Sequence, residues 1–211
     1  MLKVIPLFIG CVIFLFHAVM DKSEYDYFIS GAHHMDLSKM NNDLSEVSDQ
    51  NKVSTWLYDQ PWTKSVTIRR QGLNDFFVDV TEHKPRAVWR FGGVISSDGV
   101  LFFPKTLEIP DELPVVDAPL SSVDRSVWFI SELESDLRKF QLWPIRVFRM
   151  KAGDWAVELP RNRYFIFGTS DLVNRVKVCK KILPKLILSH KKWGRVDFRY
   201  PKAFAISENS L

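Results

Sequence analysis

Few side chains in this sequence could act as nucleophiles or bases, and their spacing keeps them apart. Cys179 and His190 form the one thiol–imidazole combination that suggests nucleophilic chemistry. Both fall on one helical pattern, eleven residues apart, which is roughly 16 Å along a helix axis. A base must lie within hydrogen-bonding reach of the proton it removes, so this pair cannot act while that helix persists. His33 and His34 are adjacent, and a regular strand would send them to opposite faces. Glu132 and Glu134 read as the wet side of a helix, and Asp98-Gly99 and Gly153-Asp154 as turns. The sequence contains no H-E-x-x-H, G-x-S-x-G or phosphate-binding loop. Cys11 and Cys179 supply neither a disulfide framework nor a C-x-x-C pair. The expectation is a non-catalytic protein with no cofactor and no metal.

Charge offers a binding reading instead. Residues 1–60 hold 4 Lys/Arg against 8 Asp/Glu, a balance of −4, whereas residues 138–192 hold 14 against 3, a balance of +11. A basic half can face nucleic acid, anionic lipid or an acidic protein. No aromatic-basic signature such as that of an RRM is present, so nucleic acid is not expected, and a solvated lysine-rich surface is the plain alternative. Arg69 and Arg70 pose the same choice between an acidic partner and a wet strand end.

The elements that would position these residues follow from periodicity. After Met1-Leu2-Lys3, an uncharged run from Val4 to Met20 covers seventeen residues, or roughly 25 Å as a helix. Cleavable signal peptides have shorter apolar cores and small residues before the cut. Phe16-His17-Ala18 and Ala18-Val19-Met20 both fail that rule, so an uncleaved anchor is expected over 4–20. Lys3 precedes it, and Asp21, Glu24 and Asp26 follow, which keeps the 1–3 stub cytoplasmic and the bulk of the chain outside. Residues 25–31 read as a strand, and 33–44 support only a short helix. Val53, Trp56 and Leu57 make one helical face before Pro61-Trp62. Val66 and Ile68, then Phe76, Val78 and Val80, alternate with polar or outward residues around a Gly-containing turn, so an antiparallel hairpin is expected over 65–81. Trp56, Leu57 and these five residues should form one core.

Pro85 breaks the pattern, and a second unit begins there. Gly92-Gly93 and Asp98-Gly99 bracket Val94-Ile95 as a hairpin. Pro104, Pro110, Pro114 and Pro119 punctuate a segment that reads as an extended linker. Val123, Val127, Ile130, Leu133, Leu137 and Phe140 have helical spacing, with Ser121 or Ser122 as cap. Strands are expected over 145–150, 155–159 and 164–167. A second helix, capped by Ser170, should run past Cys179 and kink at Pro184, with Trp193-Gly194 closing the unit and Trp193 exposed. Trp62, Trp89, Trp128 and Trp155 read as core. Two strands end the chain, the last over 203–206.

Two stretches resemble the bacterial FtsQ/DivIB cell-division family. The first is Pro61-Trp62, the strand Val66–Arg70, the strand Phe76–Val80, then Glu82, Pro85, Ala87 and Trp89. The second is Val196, Asp197, Arg199 and Tyr200. Gly72-Leu73 stands where the family has Trp-Pro, and Pro201-Lys202 where it often has a small polar turn. The resemblance implies an α+β protein with an N-terminal transmembrane helix. A β-α-α-β-β POTRA domain would cover 21–83, a mostly antiparallel β domain with two helices 84–207, and a tail 208–211. It also implies a non-catalytic inner-membrane scaffold at the septum, with its bulk in the periplasm, recruiting FtsB and FtsL. The docking residues implied are Phe198, Arg199, Tyr200, Lys202, Ala203, Phe204 and Ala205, by strand addition at an uncovered edge. Arg70 would mark a second recruitment surface on the POTRA domain, for other division proteins. The competing reading is an anchored envelope enzyme or ligand-binding module that uses the basic half.

Overall fold

The computed structural model describes residues 26–39, 50–72, 74–104, 109–110, 112–189, 192–200 and 203–208. The anchor expected between Val4 and Met20 lies outside them, as do Cys11, His190, Pro201 and Lys202. Among the described residues no helix is long and apolar enough to cross a membrane. The fold is mixed α+β, with one large sheet and few helices. It divides between His83 and Lys84 into two compact units.

In the first unit, strand β1 (Asp26–Ser30) buries Tyr27 and Ile29 by simple alternation. Helix α1 (Gln50–Tyr58) buries Val53 and Leu57, four residues apart on one face. Strands β2 (Thr63–Arg70) and β3 (Asp75–Glu82) form the antiparallel hairpin. The sheet order is β1-β3-β2, with β1 parallel to β3. Phe76, Val78 and Val80 join Tyr27, Ile29, Val53 and Leu57 in one core, with Val66, Ile68 and Trp56 half-buried against it. Residues 37–39 are helical, and 40–49 lie outside the described part.

Two small devices close this unit. Glu82 accepts the backbone N–H groups of His33 and His34, both at 2.9 Å, and its second oxygen meets the His34 ring at 2.6 Å. The same ring stacks on Trp62 with centroids 4.1 Å apart. Gly31 has φ +79°, and a Cβ there would collide with the Val80 carbonyl. Only glycine fits both the conformation and the space.

The second unit is a nine-stranded mixed sheet in the order β12-β11-β10-β9-β8-β7-β4-β5-β6 among the described residues. Strands β4 (Pro85–Trp89), β5 (Val94–Ser96) and β6 (Leu101–Phe102) make an antiparallel run at one end. Strand β7 (Val115–Asp117) lies between β4 and β8 (Arg146–Arg149), parallel to both. This corrects the linker expected between Pro104 and Pro119, because Val116 is fully buried in mid-sheet. Strands β9 (Trp155–Leu159), β10 (Arg163–Gly168), β11 (Trp193–Asp197) and β12 (Ala205–Glu208) complete it. Only β10 and β11 are parallel among these four.

Helices α2 (Val123–Arg138) and α3 (Leu172–Ser189) pack against each other and on the sheet. Their apolar faces, from Val123 to Leu137 and from Leu172 to Leu186, share one core with the strands. Phe129 touches both Trp155 and Phe167. Ser122 sits before α2 but makes no side-chain cap. Arg175 closes its helical bond on the Asp171 carbonyl at 3.1 Å, so α3 starts from Asp171 and not Ser170. Trp193 does not close the unit: it opens β11 and is 1% exposed, stacked on Phe165 at 5.4 Å. The last strand begins two residues later than its apolar run suggested, because Asp197 pairs with Ala205 and Val196 with Ile206. Trp62 and Trp155 are core, while Trp89 and Trp128 are half-buried against it.

Candidate docking site at the sheet edge

Strand β12 is the outermost strand of the large sheet and pairs only with β11 among the described residues. Ala205, Ser207 and Glu208 are exposed and Ile206 is half-buried. Its edge therefore presents backbone donors and acceptors to solvent. Glu208 puts one charge within that edge, which the 203–206 reading did not include.

The chain reaches β12 through a braced turn. Phe198 donates its N–H to the Ile166 carbonyl at 2.8 Å. Its ring stacks on Phe167 at 5.3 Å and 9°, and meets Phe165 edge-on at 5.7 Å. At 2% exposed it is core. Tyr200 and Phe204, by contrast, are 53% and 38% exposed. Phe204 lies against Phe198 at 6.1 Å.

Arg199 is among the docking residues that the resemblance implies, but it does not present a free cation. Its guanidinium instead donates to Asp197 at 3.0 and 2.6 Å and to Asp154 at 2.9 Å. The Arg199 hydrogen bond holds the Asp197 carboxyl below the ordinary range, and the reciprocal bond raises the Arg199 pKa further. Arg175 donates to the carbonyls of Phe167 and, at 3.1 Å, Arg199. The turn is therefore clamped by residues from β11, the β8–β9 loop and α3. In the sequence Gly153-Asp154 reads only as a turn, and nothing local marks Arg175. An arginine two residues from an aspartate hinted at the Asp197 bond, but Asp154 lies 45 positions away and left no local signal.

Beside this turn, Asp171, Asn174, Arg175, Val178, Phe198, Tyr200, Ala203 and Phe204 line a groove of about 250 Å³. The structure thus brings Tyr200, Ala203, Phe204 and Ala205 together at one edge, with buried Phe198 against Phe204 and exposed Arg199 tied to Asp197 and Asp154.

Arg70 is an exposed residue on β2 and lies 5.6 Å from the Phe76 ring. Arg69 pairs with Asp79, which also accepts from the Ser30 hydroxyl at 2.6 Å. Strand β2 is an outer strand too, but the Tyr58 hydroxyl accepts the Val66 N–H at 3.2 Å and donates to its carbonyl at 3.4 Å. A side chain thus occupies part of that edge. The groups considered for chemistry are used structurally. Burial pushes the Cys179 thiol well above its usual range. Glu134 pairs with Arg86 and Arg138, and Glu132 with Lys180.

No family model matches the chain. It is similar to proteins named cell division protein FtsQ. One from Coxiella burnetii is 25% identical over 155 residues, covering 73% of this chain and 64% of that protein. One from Xanthomonas campestris is 26% identical over 146 residues, covering 69% and 52%. One from Burkholderia pseudomallei is 28% identical over 159 residues, covering 69% and 60%. The chain spans 52–64% of the length of these three relatives. Eight relatives with this one name, matched over about 70% of the chain, support its likeness to the FtsQ/DivIB family of cell division proteins.

Proposed function

We propose that this chain is a non-catalytic scaffold of the bacterial division machinery that binds an FtsB-FtsL pair by strand addition at β12. In this reading residues 4–20 anchor it in the inner membrane. Residues 21–83 form a POTRA domain, and 84–207 form an FtsQ-type β domain in the periplasm. The order of β1, α1, β2 and β3 in the first unit supports the POTRA assignment. The observation that carries the docking reading is the contrast between the two outer strands. The β2 edge is partly occupied by Tyr58, whereas β12 leaves Ala205, Ser207 and Glu208 exposed.

Backbone pairing would supply affinity, and the Tyr200–Phe204 groove would take an apolar side chain of the added segment. Arg199 serves to fix the turn, so its role is positioning. Arg70, on the POTRA sheet, marks a recruitment surface for other division proteins.

The test replaces Ala205 with Pro, which deletes a backbone donor and stiffens the edge, and separately replaces Phe204 with Ser. Binding to a purified FtsB-FtsL pair is measured beside circular dichroism of the same samples. Both variants should fold, with Ala205→Pro losing at least tenfold in affinity. Folded variants that bind as tightly as wild type would place the docking site elsewhere. Tight binding of peptidoglycan fragments by the wild type, without affinity for FtsB-FtsL, would favour the ligand-binding alternative.

A further inference from the structure

Helix α3 carries charges that the fold does not consume. Its inner face is apolar, through Leu172, Val176, Cys179, Leu183 and Leu186. Lys180 sits at the flank and pairs with Glu132 at 2.9 Å and Asp136 at 3.7 Å. Those two carboxylates are four residues apart on α2, so this chain itself satisfies an α3 lysine with an i, i+4 acidic pair from a neighbouring helix. Lys177, Lys181 and Lys185 repeat that four-residue spacing on the outer face, and none has an ion pair or hydrogen bond among the described residues. At about 1.5 Å per residue they stand roughly 6 Å apart along the axis. Val173 is 49% exposed and Leu188 is 76% exposed, and they bound the row at its two ends.

We propose that this outer face of α3 is a docking ridge for an acidic helical segment of a partner protein. The segment would place carboxylates at i, i+4 and i+8 against the three lysines and apolar side chains over Val173 and Leu188. The spacing favours a helix, since carboxylates four residues apart on a helix repeat at that same roughly 6 Å rise. The composition disfavours a membrane surface. An interfacial helix buries a broad apolar face with Trp, Phe or Leu, and the apolar face of α3 is already consumed by the core. The ridge is a surface separate from the β12 edge and stands or falls independently of docking there.

The test uses the full-length chain in detergent micelles. One probe is a synthetic helical peptide with glutamates at three successive i, i+4 positions and a leucine beyond each end. A permuted peptide of identical composition controls for net charge, and vesicles with phosphatidylglycerol control for lipid. The variant is Lys177→Glu/Lys181→Glu/Lys185→Glu, compared with Lys52→Glu/Lys84→Glu/Lys151→Glu, which makes the same charge change at exposed sites elsewhere. Each exposed ion pair is worth a factor of about two to five in affinity. The ridge variant should therefore bind the ordered peptide at least tenfold more weakly, while the control loses less than threefold. Leu188→Ser should weaken binding severalfold without changing its salt dependence. Equal loss in ridge and control variants, or equal affinity for the permuted peptide, would overturn the proposal. So would ridge-dependent binding of the vesicles without binding of the ordered peptide.

Discussion

Phe198 and Tyr200 lie two residues apart, and both belong to the stretch that sequence resemblance marks for docking, yet truncating each should have opposite consequences. Phe198 is 2% exposed and packed on Phe167 and Phe165, whereas Tyr200 is 53% exposed. Removing a buried phenylalanine ring costs about 3–5 kcal/mol through lost transfer energy and the cavity left behind. Loss of the two ring contacts belongs to that figure and is not added to it. With unfolding free energies of about 5–15 kcal/mol for a domain, Phe198→Ala should remove roughly a fifth or more of the second unit's stability. At a urea m-value of about 2 kcal/mol/M, the midpoint should fall by roughly 2 M. Tyr200→Ala should change the stability by no more than about 0.5 kcal/mol, as expected for an exposed site. The assay is urea unfolding followed by tryptophan fluorescence, since Trp193 and Trp155 sit in the same core. FtsB-FtsL binding is measured on the folded fraction. Tyr200→Ala should weaken binding while leaving the unfolding midpoint in place. An unchanged midpoint for Phe198→Ala would mean that the turn before β12 is not braced as described, and the edge would lose its support.

Asp197 gives a pH signature. Its carboxyl is held below the ordinary range by Arg199, so its contribution to stability is fully present above an unfolded-state pKa of about 3.9. It is lost as pH falls from there through the folded-state value. Asp197→Asn should therefore flatten the acid limb of a stability–pH curve below about pH 4, and an unchanged limb would argue against the clamp. In the first unit, Gly31→Ala should cost at least about 1–2 kcal/mol from the left-handed backbone alone, with the Val80 carbonyl clash added. Thermal melting of the full chain would show this as early loss of one transition, and wild-type melting would refute the assignment.

The elements with strong local signals were legible in the sequence. The alternation of Phe76, Val78 and Val80 gave the right face of β3, and the Val123–Leu137 spacing gave the buried stripe of α2. What escaped was fixed by partners distant along the chain. Strand β7 is three residues long amid prolines and is a strand only because β4 and β8 flank it. Trp193 neighbours glycine and lysines, which reads as surface, but β10 supplies Phe165 to stack on it. The outer edge was legible as an open strand, while its register was not. Pairing with β11 moved it to 205–208 and left Ala203 and Phe204 as the lead-in. Arg199 looked like a free cation because Asp154 reaches it only through the fold.

The parallel pairing of β1 with β3 has a mechanical meaning. The chain enters the first unit at the start of β1 and leaves it from the far end of β3, which runs in the same direction. Tension between the segment before Asp26 and the second unit would pull these adjacent strands in opposite directions along their length. Their hydrogen bonds, spread over the register from Asp26–Asp75 to Ser30–Asp79, would then carry the load together in shear, instead of opening one at a time as in an unzipped hairpin. Of the unit's two strand pairings, the parallel one lies across the line of pull, so this small unit is built to resist stretching between its two ends.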